Sequence, residues 1–218
     1  MKTIYRLVLV ALIAVTGSLV LLAQETGPAP SPEPTTPFQV VQAPRTLGSQ
    51  IFQIDLGLMI PLFSHNSDGT VFKPGAIMDL GGAGRLRWGA YITQFLAFGI
   101  DLSGAINGGP NTKTTGNTIG LFNVGPHVTT IFRLGNFQLP VSLTPAFSVL
   151  SYAGSSYVGF TVKPGLGIYY DATPNWSFGL DLSYWWVPEL YAAGGTPSPV
   201  QNRFGNLLEV SISALYSF

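Results

Sequence analysis

Side chains that could carry out catalysis or hold a metal are few in this sequence. It has no cysteine, which excludes thiolate nucleophiles and thiolate metal sites. No metal-ligand spacing surrounds either of its two histidines, His65 and His127, so no metal site is predicted. A lipid hydrolase needs a histidine, a serine and an acid together, and His127 has only serines near it. We therefore predict no catalytic residue, no enzymatic activity and no cofactor.

Seven charged residues form a more informative pattern. They occupy the polar face of segments in which apolar and polar side chains alternate, at similar distances from one end of each segment. We call this set the charge belt, and its members are Asp55, Arg85, Arg87, Asp101, Lys163, Asp181 and Glu209. Buried charges need partners, which favours an ion-pair network that fills a narrow interior. The alternative is a constriction that selects a small polar solute.

Eight segments with period-two alternation, the pattern of β-strands, must position these charges. In each of them the large apolar residues fall on one face, and the charges of the segment cores fall on the other. Asp79, near one mouth, and His127 are predicted to share the polar face with the charge belt. The predicted strands are residues 50–63, 77–92, 95–105, 118–133, 137–150, 157–170, 176–187 and 205–218.

Composition decides which face meets which solvent. Only 9% of the residues are charged, where soluble domains carry about 25%, and the zero net charge argues against binding of nucleic acid. The apolar face carries too many large side chains to fit inside an eight-stranded barrel, whereas the small residues of the polar face suit a crowded interior. The sequence therefore predicts an all-β fold, an eight-stranded antiparallel up-and-down transmembrane β-barrel with its apolar face in lipid.

The connections and the aromatic residues agree with this fold. Short periplasmic turns are predicted at residues 93–94, 134–136 and 171–175, and outer loops at residues 64–76, 106–117, 151–156 and 188–204. Aromatic residues collect near both ends of the strands, as in the girdles of membrane barrels. The lower girdle is predicted to contain Trp88, Tyr91, Phe95, Phe132, Tyr170, Trp176 and Tyr216, and the upper girdle Phe63, Tyr152, Tyr157, Trp185 and Trp186.

Two further segments precede the predicted barrel of residues 50–218. Lys2 and Arg6 introduce an apolar run, Leu7 to Leu22, which is typical of a signal peptide (residues 1–23) cleaved after Ala23. A retained membrane helix is the alternative, but about 20 apolar residues are needed to span a bilayer. Residues 24–49 form a proline-rich periplasmic tail, which is interpreted as a tether or, alternatively, as a peptide ligand.

The signal peptide, the eight strands and the closing Ala214-Leu215-Tyr216-Ser217-Phe218 resemble the small eight-stranded outer-membrane barrels of the OmpA, OmpX and OmpW type. The resemblance implies a place in the outer membrane of a double-membraned bacterium, in contact with its lipid, after signal-peptide cleavage. It also implies that Tyr216 and Phe218 form the insertion signal for the barrel assembly machinery. Within the group the chain is placed nearest the OmpW-like family, whose members are linked to passage of small hydrophobic molecules. Its charged interior is closer to the plugged OmpX type.

Two functional interpretations follow from these predictions. The first is passive passage or uptake of a small solute, which the OmpW-like resemblance implies to be hydrophobic. The second is a non-conducting barrel that serves envelope structure or binds a surface or host partner through its loops.

Overall fold

The computed structural model describes residues 46–66, 70–72, 78–109, 118–152, 155–191 and 203–218. The predicted signal peptide, and the predicted tail as far as residue 45, lie outside the described residues. Nine strands lie within them: β1 (Gln50–Asn66), β2 (Val71–Phe72), β3 (Gly81–Tyr91), β4 (Leu96–Gly108), β5 (Thr118–Leu134), β6 (Phe137–Tyr152), β7 (Ser155–Asp171), β8 (Trp176–Tyr191) and β9 (Arg203–Ser217).

Eight of these strands form a closed antiparallel barrel. Each strand pairs with the next along the chain from β3 to β9, and β1 pairs with both β3 and β9, which closes the sheet. The short β2 pairs only with the end of β1, where Ser64 lies opposite Phe72. The predicted fold class, an all-β eight-stranded up-and-down barrel, is confirmed. Closure leaves none of these eight strands at a free sheet edge.

Period-two alternation sets the direction of the side chains. In β4, for example, Ile100 is 53% exposed on the outer surface, whereas the next residue, Asp101, is fully buried inside the barrel. The same alternation holds along β3 and β5. The large apolar residues predicted for the outer face therefore point outward.

At one end of the barrel the connections are short, and we call it the turn end. β5 and β6 are joined by Gly135 and Asn136, and Gly135 adopts a left-handed conformation with φ of 59°, which suits a two-residue hairpin loop. Residues 46–49, predicted to belong to the tail, form a turn against this end. The Gly48 N–H donates to Tyr91 O at 2.9 Å.

At the other end, which we call the loop end, several strands extend further than predicted. β6 continues to Tyr152 and β7 begins at Ser155, so most of the predicted loop 151–156 is paired strand. β2 lies within the predicted loop 64–76. Where both faces of a strand meet water, apolar and polar residues no longer alternate, so the sequence pattern does not reveal the strand. The backbone hydrogen bonds between the strands nevertheless continue. Conversely, β3 begins at Gly81, so Asp79 precedes the strand instead of lying within it.

The predicted membership of the aromatic girdles is confirmed for some residues and wrong for three. Trp176 and Tyr216 pack on the outer surface with their ring centroids 4.9 Å apart. Tyr91, Tyr157 and Trp185 are instead buried inside the barrel. Each of the three has the inward phase of its strand, and this phase sets the side-chain direction even close to the strand ends. The Tyr152 side chain lies outside the described part of the chain.

Candidate functional site

The barrel interior is built in three layers. A turn-end cluster of apolar side chains is followed by the charge belt, and a loop-end cluster of apolar side chains lies beyond the belt. The turn-end cluster consists of Ile51, Tyr91, Ala97, Ile131, Tyr169 and Leu215. The loop-end cluster consists of Met59, Ala83, Ala105, Ile119, Leu121, Leu150, Tyr157, Trp185, Val187 and Leu207. The order of the layers follows the strand register, since Ile51, Asp55 and Met59 succeed one another along the inner face of β1.

Arg85 is the centre of the charge belt. Its guanidinium group donates to three carboxylates from three different strands: Asp55 at 2.6 Å, Asp181 at 2.5 Å and Glu209 at 3.2 Å. The side chains of Arg85, Asp55 and Glu209 are completely buried, and that of Asp181 is nearly so. A guanidinium fork can bind several acceptors in fixed directions, which a lysine ammonium group cannot do in the same way. Arg85 therefore ties β1, β8 and β9 to β3 across the interior.

A second ion-pair group lies beside the first. Arg87 Nε donates to Asp101 at 3.0 Å, and Lys163 Nζ donates to the other oxygen of the same carboxylate at 2.5 Å. Arg87 also approaches Asp181 at 3.8 Å, which links the two groups. All seven residues of the charge belt are thus brought together, and every acid among them contacts a base. No ion pair of the belt reaches the outside of the barrel.

Several uncharged residues complete the belt, and the sequence predicted none of them as part of it. Trp185 Nε1 donates to Glu209 at 2.9 Å, and Lys163 Nζ lies 4.7 Å from the centroid of the Trp185 ring. Gln53 Nε2 donates to Asp55 at 2.7 Å and to the Tyr169 hydroxyl at 2.8 Å. The only signal that could have revealed these residues is their inward phase, which they share with the charged residues.

Trp185 and Tyr169 also belong to the apolar clusters on either side of the belt. Their rings extend the clusters, while their polar groups bond to the belt. This dual character is typical of buried Trp and Tyr. The three layers are consequently packed together without a polar gap at these two residues.

The two other interior residues predicted from the sequence lie apart from the ion pairs. The ring nitrogens of His127 hydrogen-bond to the hydroxyl of Thr144, at 2.8 Å, and to that of Thr129. Asp79 is half-buried, and its carbonyl oxygen accepts from Asn107 Nδ2 at 2.8 Å. Among the described residues, no three His, Asp or Glu side chains are grouped to hold a metal ion. No described helix has the length and hydropathy needed to cross a membrane.

Comparisons with known proteins agree with the barrel geometry. A protein-family model matches residues 32–216. An uncharacterized protein of Treponema pallidum (strain Nichols) is 22% identical over 199 residues, covering 89% of this chain and 87% of that protein.

Similar solved structures include OprG, an outer membrane protein of Pseudomonas aeruginosa, with a TM-score of 0.55 and 13% identity over 80% of this chain and 97% of OprG. Neisserial surface protein A has a TM-score of 0.54 and 17% identity, covering 78% of this chain and 97% of its own. The outer membrane protein AlkL, determined in lipid bilayers, has a TM-score of 0.53 and 12% identity, covering 87% of this chain and 97% of AlkL. The closed eight-stranded topology and these matches show that the chain has the fold of the small outer-membrane β-barrels.

Proposed function

We propose that this protein is an integral barrel of the bacterial outer membrane whose interior is closed to water and ions along the barrel axis. The observation that carries the proposal is the charge belt enclosed between two apolar clusters. The turn end is assigned to the periplasm and the loop end to the outside, as is usual for barrels with short turns on one side.

Closure of the axis has two physical causes. An ion entering the belt would have to break buried ion pairs such as Arg85–Asp55, whose partners have no access to water. It would also have to shed its hydration shell while passing two apolar layers, and neither layer offers the ring of oxygen or charged ligands that lines ion-selective pores. The solute-selecting constriction considered from the sequence is therefore the less favoured interpretation.

Planar bilayer recordings test this proposal. We expect the purified protein, shown to be folded by its heat-dependent mobility in electrophoresis, to give no conductance steps above background. A wide general porin reconstituted in parallel is the positive control. Reproducible steps from the folded protein would overturn the closed-axis proposal and restore the constriction hypothesis.

Passage of small apolar molecules is a second candidate function, and one observation favours it. The half of the interior nearest the loops is filled by buried apolar side chains, including Met59, Leu121 and Leu207. An apolar solute that displaced some of them would meet a matching apolar environment, but it would have to leave sideways through the wall because the belt blocks the axis. Faster entry of an apolar fluorescent dye into vesicles that contain the barrel, with no conductance, would support this function.

Loop-mediated binding of a surface or host partner stays a prediction, because residues 110–117 and 192–202 of the predicted outer loops lie outside the described part of the chain. The envelope-structure alternative is compatible with a closed axis. It requires only that the barrel be inserted and stable.

Insertion is proposed to depend on the aromatic side chain of Phe218, read by the barrel assembly machinery. The backbone of Phe218 exchanges two hydrogen bonds with Gln50, at 2.8 and 3.0 Å, which closes the end of the barrel. Its side chain points outward, 56% exposed, and its ring centroid lies 5.7 Å from that of Tyr216. The side chain is therefore available for recognition without being required for closure.

We expect Phe218→Asp to lower the amount of assembled barrel in cells severalfold while leaving the closed fold of the inserted fraction unchanged. Quantitative immunoblotting of outer-membrane fractions, with and without heating, measures both quantities. Phe218→Tyr keeps an aromatic ring and serves as the matched control. Equal membrane levels for the Asp variant and the native chain would contradict an assembly signal at this residue.

A further inference from the structure

One region of the outer wall departs from the pattern of large apolar side chains. Four glycines face outward there: Gly82 and Gly84 on β3, Gly104 on β4 and Gly120 on β5. Gly84 lies directly opposite Gly104 in the ladder. One row nearer the loop end, Ile106 lies between Gly82 on one side and Gly120 on the other. The four glycines thus form one continuous patch.

The barrel itself does not require glycine at three of these positions. A Cβ atom added at Gly120 would meet nothing within 4 Å, and the nearest atoms would be 4.0 Å away at Gly82 and 3.6 Å at Gly84, whereas at Gly104 a Cβ would lie only 3.3 Å from the backbone oxygen of Leu121. The inward glycines differ, since a Cβ at Gly99 would lie 2.1 Å from a backbone oxygen. Glycine in a strand interior weakens the strand, so outward glycines with free space indicate a constraint outside the chain.

The glycine patch forms the floor of a groove in the outer wall. The groove has a volume of about 640 Å³, within the range of roughly 300–1,000 Å³ found for small-molecule sites. Its sides are the apolar side chains of Leu56, Ile106, Phe122 and Val149, and Ser151 lies at its edge on β6. Apart from Ser151, the residues that line it are glycines and apolar residues, and the exposed surface within it is almost entirely apolar.

We propose that this groove binds the acyl chain of a membrane lipid, with the lipid head group toward the loop end. The groove is continuous with the lipid-facing surface, because the flanking residues Leu56, Ile106 and Phe122 are 61%, 66% and 49% exposed on that same surface. Hydrocarbon therefore surrounds it, and hydrocarbon matches its lining. The serines next to it, Ser151 and Ser156, lie opposite each other and are exposed, so they offer hydroxyls where a head group would lie.

A lipid chain bound in the groove explains why the outward residues there are glycines. Closure of the barrel axis does not explain them. A flat wall of leucine and phenylalanine holds lipid chains only transiently at its surface. In a concave groove, more of the surface of an acyl chain contacts the protein and less of it contacts neighbouring lipid chains. Small residues also let a bound segment approach the backbone closely, which increases dispersion contacts. The charge belt contributes no residue to the groove, and of the two interior clusters only Ala83, Ala105 and Leu121 of the loop-end cluster line it.

Photolabelling of the complete barrel in vesicles tests the site. The probe is a phosphatidylethanolamine with a diazirine at the end of one acyl chain, and adducts are mapped by mass spectrometry after digestion. We expect the native chain to be labelled preferentially on β3, β4 and β5. In a Gly82→Leu, Gly120→Leu variant, labelling there should fall to the level found on the rest of the barrel wall, because the two leucine side chains occupy the groove and remove the close contacts of the bound chain.

Ala90→Leu is the matched control, because Ala90 faces outward on the same β3 strand, outside the groove. Its labelling should equal that of the native chain. Gly120→Leu alone provides a second variant, since a Cβ atom added there meets nothing within 4 Å. Uniform labelling around the native barrel, unchanged labelling in both groove variants, or cross-linking of two copies through this face would overturn the proposal. Conductance recordings on the same samples report separately on the closed axis.

Discussion

Replacing Arg85 with methionine should lower the free energy of unfolding by about 3–5 kcal/mol, the loss expected when one partner of a buried ion pair is removed. The effect is large because Arg85 is the common partner of Asp55, Asp181 and Glu209, and the variant leaves these carboxylates buried with fewer donors. Gln53 and Trp185 would still donate to two of them, but neither carries a positive charge. The experiment is a urea titration in lipid vesicles, followed by tryptophan fluorescence.

Two further variants separate charge from packing. Arg85→Lys keeps the charge but cannot reach three acceptors in the same geometry, so its stability should lie between those of the native chain and of Arg85→Met. Adding Asp55→Asn to Arg85→Met should recover part of the lost stability, because it removes one uncompensated charge. If Arg85→Met were as stable as the native protein, the ion-pair network would not hold the interior together.

Leu180→Arg should destabilise the barrel by about 2–4 kcal/mol, the cost of an arginine on the lipid face near the bilayer midplane. Leu180 is 55% exposed on the outer surface, and its ladder neighbours Ile168 and Ile212 are similarly outward and apolar. It lies on β8 between the outward Trp176 and Trp186, so its side chain cannot easily carry a charge to either interface. Leu56→Arg and Val210→Arg should behave in the same way.

The control for this prediction is an arginine placed closer to the membrane surface, where its cost in stability should be smaller. Ile92, 50% exposed, lies at the turn end just after β3, where an arginine can reach water with its charged group. Ile92→Arg should therefore cost only about 0–1 kcal/mol. Folding titrations of both variants into the same vesicles compare the two positions directly. Equal, negligible costs at Leu180 and Ile92 would mean that the outward face does not lie in hydrocarbon.

The sequence by itself determined the number of barrel strands, the direction of their side chains and the presence of the seven charges inside. These features depend on period-two alternation, which is a local property of the chain and survives in any β-sheet that has lipid on one side. Asp101 illustrates this, since its apolar neighbours Ile100 and Leu102 alone place it on the inner face. Tyr91, Tyr157 and Trp185 obey the same rule. They were predicted for the aromatic girdles, but their phase in the alternation places them inside the barrel, where they lie.

The tertiary structure decided which of the inward residues meet. Register between strands is fixed by closure, so nothing local indicates that Arg85 reaches Asp181 on β8. The outward glycines show the same limit: Gly84 and Gly120 are 36 positions apart in the sequence. They share one groove only because β3, β4 and β5 pair in a particular register. Apolar–polar alternation determines whether a side chain points inward or outward. The register of the closed barrel determines which side chains of other strands it contacts.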